Sequence, residues 1–230
     1  MTTAEAMTAP LNEMSTTKEN VQAFANSCVL LRSQWQHFRI LFEGSDLKRE
    51  LLQTTAPTFF ADLNHLLIEH LVLHICRLTD NAQTKGRKNL TVKFLIEHSD
   101  FSDAPHTLDK LKAISASIDA FRQKILPARH RFISHLDLEA VRLDRSLGAA
   151  SDAEWNQFWL DLQDFLELMF LHHVGSSEHF CLNDIGMMSD ADSLLTALRN
   201  AKLFDAVMGD GEIASRALRA ADTSKFADDL

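Results

Sequence analysis

The chain has 230 residues, 46% of them hydrophobic and 24% charged, so it can bury a substantial core without staples; its cysteines, Cys28, Cys76 and Cys181, are odd in number, far apart and in no metal-ligand spacing, so neither a disulfide framework nor a zinc ribbon is implied. No stretch approaches the ~18 uncharged apolar residues of a membrane span, and residues 1–10 lack a basic segment followed by an apolar one, so the expectation is a cytoplasmic protein with no membrane contact. The net charge of −9 argues against tight non-specific nucleic-acid binding, but residues 1–150 carry 18 Lys+Arg against 17 Asp+Glu while residues 151–230 carry 5 against 15, so the acidity belongs to the C-terminal third.

With only 7 Gly and 4 Pro, the chain has few of the breakers that punctuate sheets, and helices are expected throughout. Residues 1–16 read as a flexible leader. Thr17 is placed to cap a helix running to about Glu43 through Val21, Phe24, Cys28, Leu31, Trp35, Phe38 and Phe42. A short helix follows Ser45. Pro57, in the first turn of the next element, opens a long helix through Leu63, Leu66, Leu67, Leu71 and Leu78 that ends near Asp80. Residues 81–89 are polar and basic around Gly86, hence a loop, and Thr91 begins a shorter helix through Phe94 and Leu95. Leu111, Ile114, Ile118, Phe121 and Ile125 mark a further helix, which Pro127 is expected to interrupt, with a new helix from Ala128 to about Ala140. Ser151 and Glu154 make a capping-box pattern before Trp155, Phe158, Trp159, Leu162, Phe165, Leu166 and Met169, and Gly175 is placed to end that helix. Ser189 precedes one more, through Leu194, Leu195, Leu198 and Phe204, and a thin tail follows Gly209. The expected division is a leader over 1–16, a helical domain over 17–180 and an acidic C-terminal helix and tail over 181–230.

Chemistry-bearing residues crowd one segment, Pro127-Ala128-Arg129-His130-Arg131-Phe132-Ile133-Ser134-His135-Leu136-Asp137. Arg, a polar residue, and a His after five intervening positions occur here as Arg129, His130 and His135. A similar interval, with four intervening positions, joins Arg32 to His37, but in the middle of an ordinary amphipathic helix and with Ser33 in second place. Further upstream, a long helix closes with Arg77-Leu78-Thr79-Asp80, and a basic loop leads to Asn89-Leu90-Thr91-Val92. In the order and spacing of these segments the chain resembles the abortive-infection, AbiU-like branch of the HEPN ribonucleases over about residues 20–175.

The resemblance implies an all-α, up-and-down helical bundle of the HEPN type with an additional C-terminal helix. It also implies metal-independent, cofactor-free cleavage of RNA by attack of the 2′-hydroxyl on the adjacent phosphorus, at a homodimer interface, in phage defence or a toxin–antitoxin pair. No DNA target is expected. The roles it implies are proton transfer by His135 and charge stabilisation by Arg129, chemistry that suits an imidazole titrating near neutrality and a permanently charged guanidinium. His130, Arg131, Ser134, Asp137 and Asp80 are supporting candidates, and Lys85, Arg87 and Lys88 are candidate phosphate contacts. A separation of six residues sets Arg129 and His135 roughly 120° apart around a straight helix, so either the turn after Pro127 is irregular or a second protomer completes the site. Arg131, four residues before His135 and on its face, is an alternative partner for it. An ordinary structural role, an ion-paired helix face with a satisfied histidine, fits the same residues, and a non-catalytic module binding nucleotide, RNA or a protein is the second functional reading.

Other groupings carry less. His70 and His74 share a helical face but have no evident third metal ligand, and the Gly175 to His179 stretch lacks the second glycine of a nucleophile elbow. HEPN toxins controlled by modification of a Tyr two positions after the His have no counterpart here, because that position is Asp137 and the chain has no Tyr.

Overall fold

A computed structural model of the chain describes residues 15–129, 150–175, 182 and 189–208. Within them lie seven helices, α1 (Lys18–Phe42), α2 (Asp46–Thr55), α3 (Pro57–Thr79), α4 (Val92–Glu97), α5 (Pro105–Ala128), α6 (Asp152–His173) and α7 (Ser189–Met208), with one hairpin of β1 (Gln83–Thr84) and β2 (Arg87–Lys88). The chain is all-α, as the apolar periodicity predicts. Residues 1–14 of the expected 1–16 leader, the expected helix between Ala128 and Ala140 beyond Arg129, and the tail after Gly209 lie outside the described residues, whereas Thr16 is buried and its N–H donates to the His98 carbonyl.

The helix starts follow from local chemistry. Asn20 N–H donates to Thr17 Oγ1 at 3.3 Å, so Thr17 satisfies one of the donors that every helix N-terminus leaves open. Thr91 does the same for Phe94 N–H at 3.1 Å, and Ser151 and Glu154 form the reciprocal capping box. At the other end of α6, Gly175 takes φ +96°, a left-handed value that a side chain would strain, and the helix stops.

Pro127 does not break α5, contrary to the sequence expectation. The helix runs through it to Ala128, and Arg129 still has helical angles, φ −55° and ψ −47°. A proline deprives the carbonyl four residues earlier of its donor; here that residue is Gln123, on the exposed side of the helix, where water can serve instead. Ile125 and Ala128, both buried, anchor the last turns against the core and favour continuing the helix.

Packing divides the described residues into two units: 15–31 with 71–129, 150–175 and 182, and 32–70 with 189–208, the division falling inside α1 and α3. In the first unit, α5 and α6 form the most extensive helix pair. Leu111, Ile118 and Ile125 repeat every seven residues on α5, and Phe158, Leu162, Phe165 and Met169 follow at helical spacing on α6; all are buried. Phe121 stacks on Phe158 at 4.6 Å between ring centroids, and Phe165 meets Phe24 of α1 edge-on at 5.9 Å. Fully burying each such side chain stabilises the fold by roughly 1.5–3 kcal/mol, so this seam is what holds α5, and the groups on it, in place.

The second unit is built differently. The helices α1, α2 and α3 contribute Phe38, Leu41, Phe42, Leu52 and Phe60 to an apolar cleft of about 750 Å³. Lys202 of α7 donates to the Thr54 carbonyl at 2.8 Å. Leu47, Phe59, Leu66 and Leu203 are exposed. Among the described residues α3 alone has the length and mean hydropathy (1.2 over an 18-residue window) of a membrane span, with Asp62 and Glu69 inside it and 28% of that window buried.

Candidate active site

The site begins at the C-terminus of α3. Thr79 turns its hydroxyl back to the Ile75 carbonyl at 2.8 Å and is buried, which fixes the last turn and sets Asp80 immediately beyond it. A carboxylate at the negative end of a helix is electrostatically unfavourable unless cations are brought to it. α5 brings two. Arg122 Nη2 donates to Asp80 Oδ1 at 2.5 Å and Arg129 Nη1 reaches the same oxygen at 3.5 Å. The two arginines are seven residues apart, which on a continuous helix places them about 20° from a common line. An unbroken α5 through Pro127 is therefore what makes both available to one carboxylate.

The network extends along the same face. Asp119, three residues before Arg122, lies 3.9 Å from its Nη1 and 3.6 Å from Lys93 Nζ. Lys93 also donates to Asn81 Oδ1 at 3.3 Å. The side chains are graded in exposure, Arg122 at 14%, Asp80 at 26% and Arg129 at 27%, so the arginine nearer the carboxylate is also the more buried. Among the described residues Arg122 Nε is buried with no acceptor. Cys76 lies against this group: burial pushes its thiol up, while the positive charges of Arg129 and Arg122 pull it back.

The hairpin hangs from the same corner. Asn89 donates through Nδ2 to the Asn81 carbonyl at 3.0 Å and to Thr84 Oγ1 at 2.9 Å, and its backbone N–H reaches the Ala82 carbonyl at 2.7 Å. These bonds close the base of the turn beside Asp80. At its tip Lys85 and Gly86 both take positive φ, +48° and +79°, the pattern of a two-residue hairpin turn whose backbone matches the strand twist. Residues 81–89, read from sequence as a loop, are thus a short antiparallel hairpin with its cations displayed. Lys85, Arg87 and Lys88 are exposed and, among the described residues, pair with no acid.

Of the residues singled out by sequence, Asp80 and Arg129 are brought together, and the hairpin cations stand nearby without entering their network. His130, Arg131, Ser134, His135 and Asp137 lie outside the described residues. Arg122 was missed as a site residue. Its signal was the seven-residue interval to Arg129, which an assumed break at Pro127 hides.

His70, His172 and His173 take structural positions. His70 Nε2 lies 3.0 Å from Gln34 Oε1, and among the described residues no three His, Cys, Asp or Glu side chains gather as a metal site. His172 donates from Nε2 to the Asp100 carbonyl at 2.7 Å and stacks on Phe101. His173 Nε2 meets Ser99 Oγ at 2.8 Å, and burial lowers the pKa of its imidazole, which favours the neutral ring. His179 and Cys181 lie outside the described residues.

The chain is an all-α helical domain with cations gathered at one helix end. A family model for AbiU2-type HEPN proteins matches residues 14–194, most of the chain, and the protein belongs to that family, an abortive-infection-related HEPN domain. No curated protein and no solved structure matches it.

Proposed function

We propose that the protein is a metal-independent endoribonuclease acting in phage defence or as the toxin of a toxin–antitoxin pair, with Arg129 and His135 at a site shared between two copies of the chain. The observation that carries this reading is the seating of Arg129: a half-buried guanidinium at the end of α5, held beside Asp80, at the start of the segment Arg129 to His135 whose sequence resembles the HEPN ribonuclease pattern. A partly desolvated guanidinium stabilises developing negative charge more strongly than one in open water, because the intervening medium screens less.

The chemistry needs few parts. A base removes the proton of the ribose 2′-hydroxyl, the resulting oxygen attacks the adjacent phosphorus, and the bond to the 5′-oxygen breaks. The leaving oxygen takes up a proton, leaving a 2′,3′-cyclic phosphate and a 5′-hydroxyl end, with water neither consumed nor released. Arg129 stabilises the extra charge on the phosphoryl oxygens and His135 moves a proton at either the attacking or the leaving oxygen. Lys85, Arg87 and Lys88, exposed on the hairpin, suit salt-sensitive contact with the substrate backbone. RNA, a second copy of the chain and an antitoxin are the partners of this reading, and the cytoplasm is its compartment.

The test is incubation of purified full-length protein with mixed RNA in excess chelator, comparing wild type with His135→Ala and Arg129→Ala. Chelator-resistant cleavage lost by about 100-fold or more in each variant supports the assignment. RNA binding without cleavage supports the non-catalytic module instead, and activity abolished by chelator rejects the metal-independent mechanism.

A further inference from the structure

The Asp80 carboxylate is shared unequally, and that inequality has a use. Both arginines address one oxygen, Oδ1, but Arg122 sits a full ångström closer than Arg129, at 2.5 Å against 3.5 Å, and is half as exposed, at 14% against 27%. The closer, drier pair is the stronger, since Coulomb attraction rises with both proximity and desolvation. Arg122 therefore draws negative charge away from Arg129. Asp119, near Arg122 Nη1 at 3.9 Å, is itself engaged by Lys93 at 3.6 Å, so it competes only weakly for Arg122.

We propose that Asp80 is an internal counter-anion which occupies Arg129 when no ligand is bound and yields it to a phosphate group, and that Arg122 sets how readily it does so. Arg122 and Asp80 act here as positioning residues, through Arg129. The proposal rests on the reading that Arg129 meets phosphate, and it adds a regulation of that contact. With Arg122 in place, Asp80 holds Arg129 loosely and in a fixed direction. Without it, the whole carboxylate charge falls on Arg129, and an incoming phosphate must displace a tighter pair. With Asp80 neutralised, no displacement is needed.

The consequence is a sign pattern that simple damage to the network does not produce. Arg122→Gln should weaken anion binding at Arg129, Asp80→Asn should strengthen it, and the double variant should resemble Asp80→Asn because Arg122 acts only through that carboxylate. Arg122→Lys, which keeps the charge and loses the planar fork, should fall between wild type and Arg122→Gln.

The experiment uses the full chain, nitrogen-15 labelled at arginine, with inorganic phosphate as the probe and the Arg129 Nε–H resonance as the readout. The half-saturating phosphate concentration should rise about three-fold or more in Arg122→Gln and fall by about the same factor in Asp80→Asn, the scale of one partly exposed ion pair. Asp80→Asn binding phosphate no better than wild type would overturn the proposal. So would Arg122→Gln binding it better, or a double variant weaker than either single one. If Arg122→Gln does not fold, Asp80→Asn and Arg122→Lys still decide. Run beside the RNA assay, the two readings separate: the predicted phosphate pattern without cleavage keeps the counter-anion and removes the ribonuclease, whereas cleavage with an unchanged Asp80→Asn titration does the reverse.

Discussion

Two cationic regions lie next to each other in this protein and are built on opposite principles. At the end of α5, Arg122 and Arg129 are half-buried and committed to Asp80; on the hairpin, Lys85, Arg87 and Lys88 are exposed and, among the described residues, pair with no acid. The first arrangement fixes where a charge is. The second only fixes that charge is present, and salt will screen it within about 8–10 Å. A site that must align a guanidinium with one phosphorus needs the first kind, and a surface that attracts any stretch of polyanion needs the second.

The sharpest way to break this contrast is to swap the expected losses. Arg129→Ala should lower RNA cleavage by about 100-fold or more in a single-turnover assay, while neutralising all three hairpin cations should leave the single-turnover rate at saturating RNA within a few-fold of wild type. The next effect is on stability. Asp80→Ala or Arg122→Ala leaves its partner's charge half-buried and underpaired, and should cost about 2 kcal/mol, read as a lower urea midpoint at unchanged slope. The triple change of Lys85, Arg87 and Lys88 to Gln should stay within about 0.5 kcal/mol in the same assay, as surface substitutions do. Its own signature is ionic: the log–log salt dependence of RNA binding should become shallower by about 2, three contacts at ~0.7 each. Smallest is the turn itself. Lys85 holds φ +48°, a conformation that Asn adopts more readily, so Lys85→Asn should raise stability by about 0.5 kcal/mol in the same denaturation experiment.

The sequence made the helices legible because their apolar faces repeat at 3.6 residues and their caps are local: Thr17, Thr91 and the Ser151–Glu154 pair act within three residues of themselves. Two things were hidden for the same reason, that tertiary context decided them. A proline rule that costs about 3 kcal/mol in isolation does not break α5, where Ile125 and Ala128 are buried on either side of Pro127 and Gln123, the residue whose carbonyl loses its donor, is exposed. The one mark of Arg122, its seven-residue interval to Arg129, is hidden when α5 is taken to stop at Pro127, and its partner Asp80 lies 42 residues away. Asp80 and Arg129 were found by resemblance, but the side-chain chemistry that joins them could be seen only once α5 was continuous.

The most direct test of the central claim, that this site cleaves RNA through the ribose hydroxyl without metal, is the chemistry of the ends it leaves. Full-length protein acting on a defined single-stranded RNA in excess chelator should leave a 2′,3′-cyclic phosphate on one fragment and a 5′-hydroxyl on the other, resolved by mass. Fragments bearing 5′-phosphate and 3′-hydroxyl ends, or cutting that appears only when a divalent ion is restored, would contradict it.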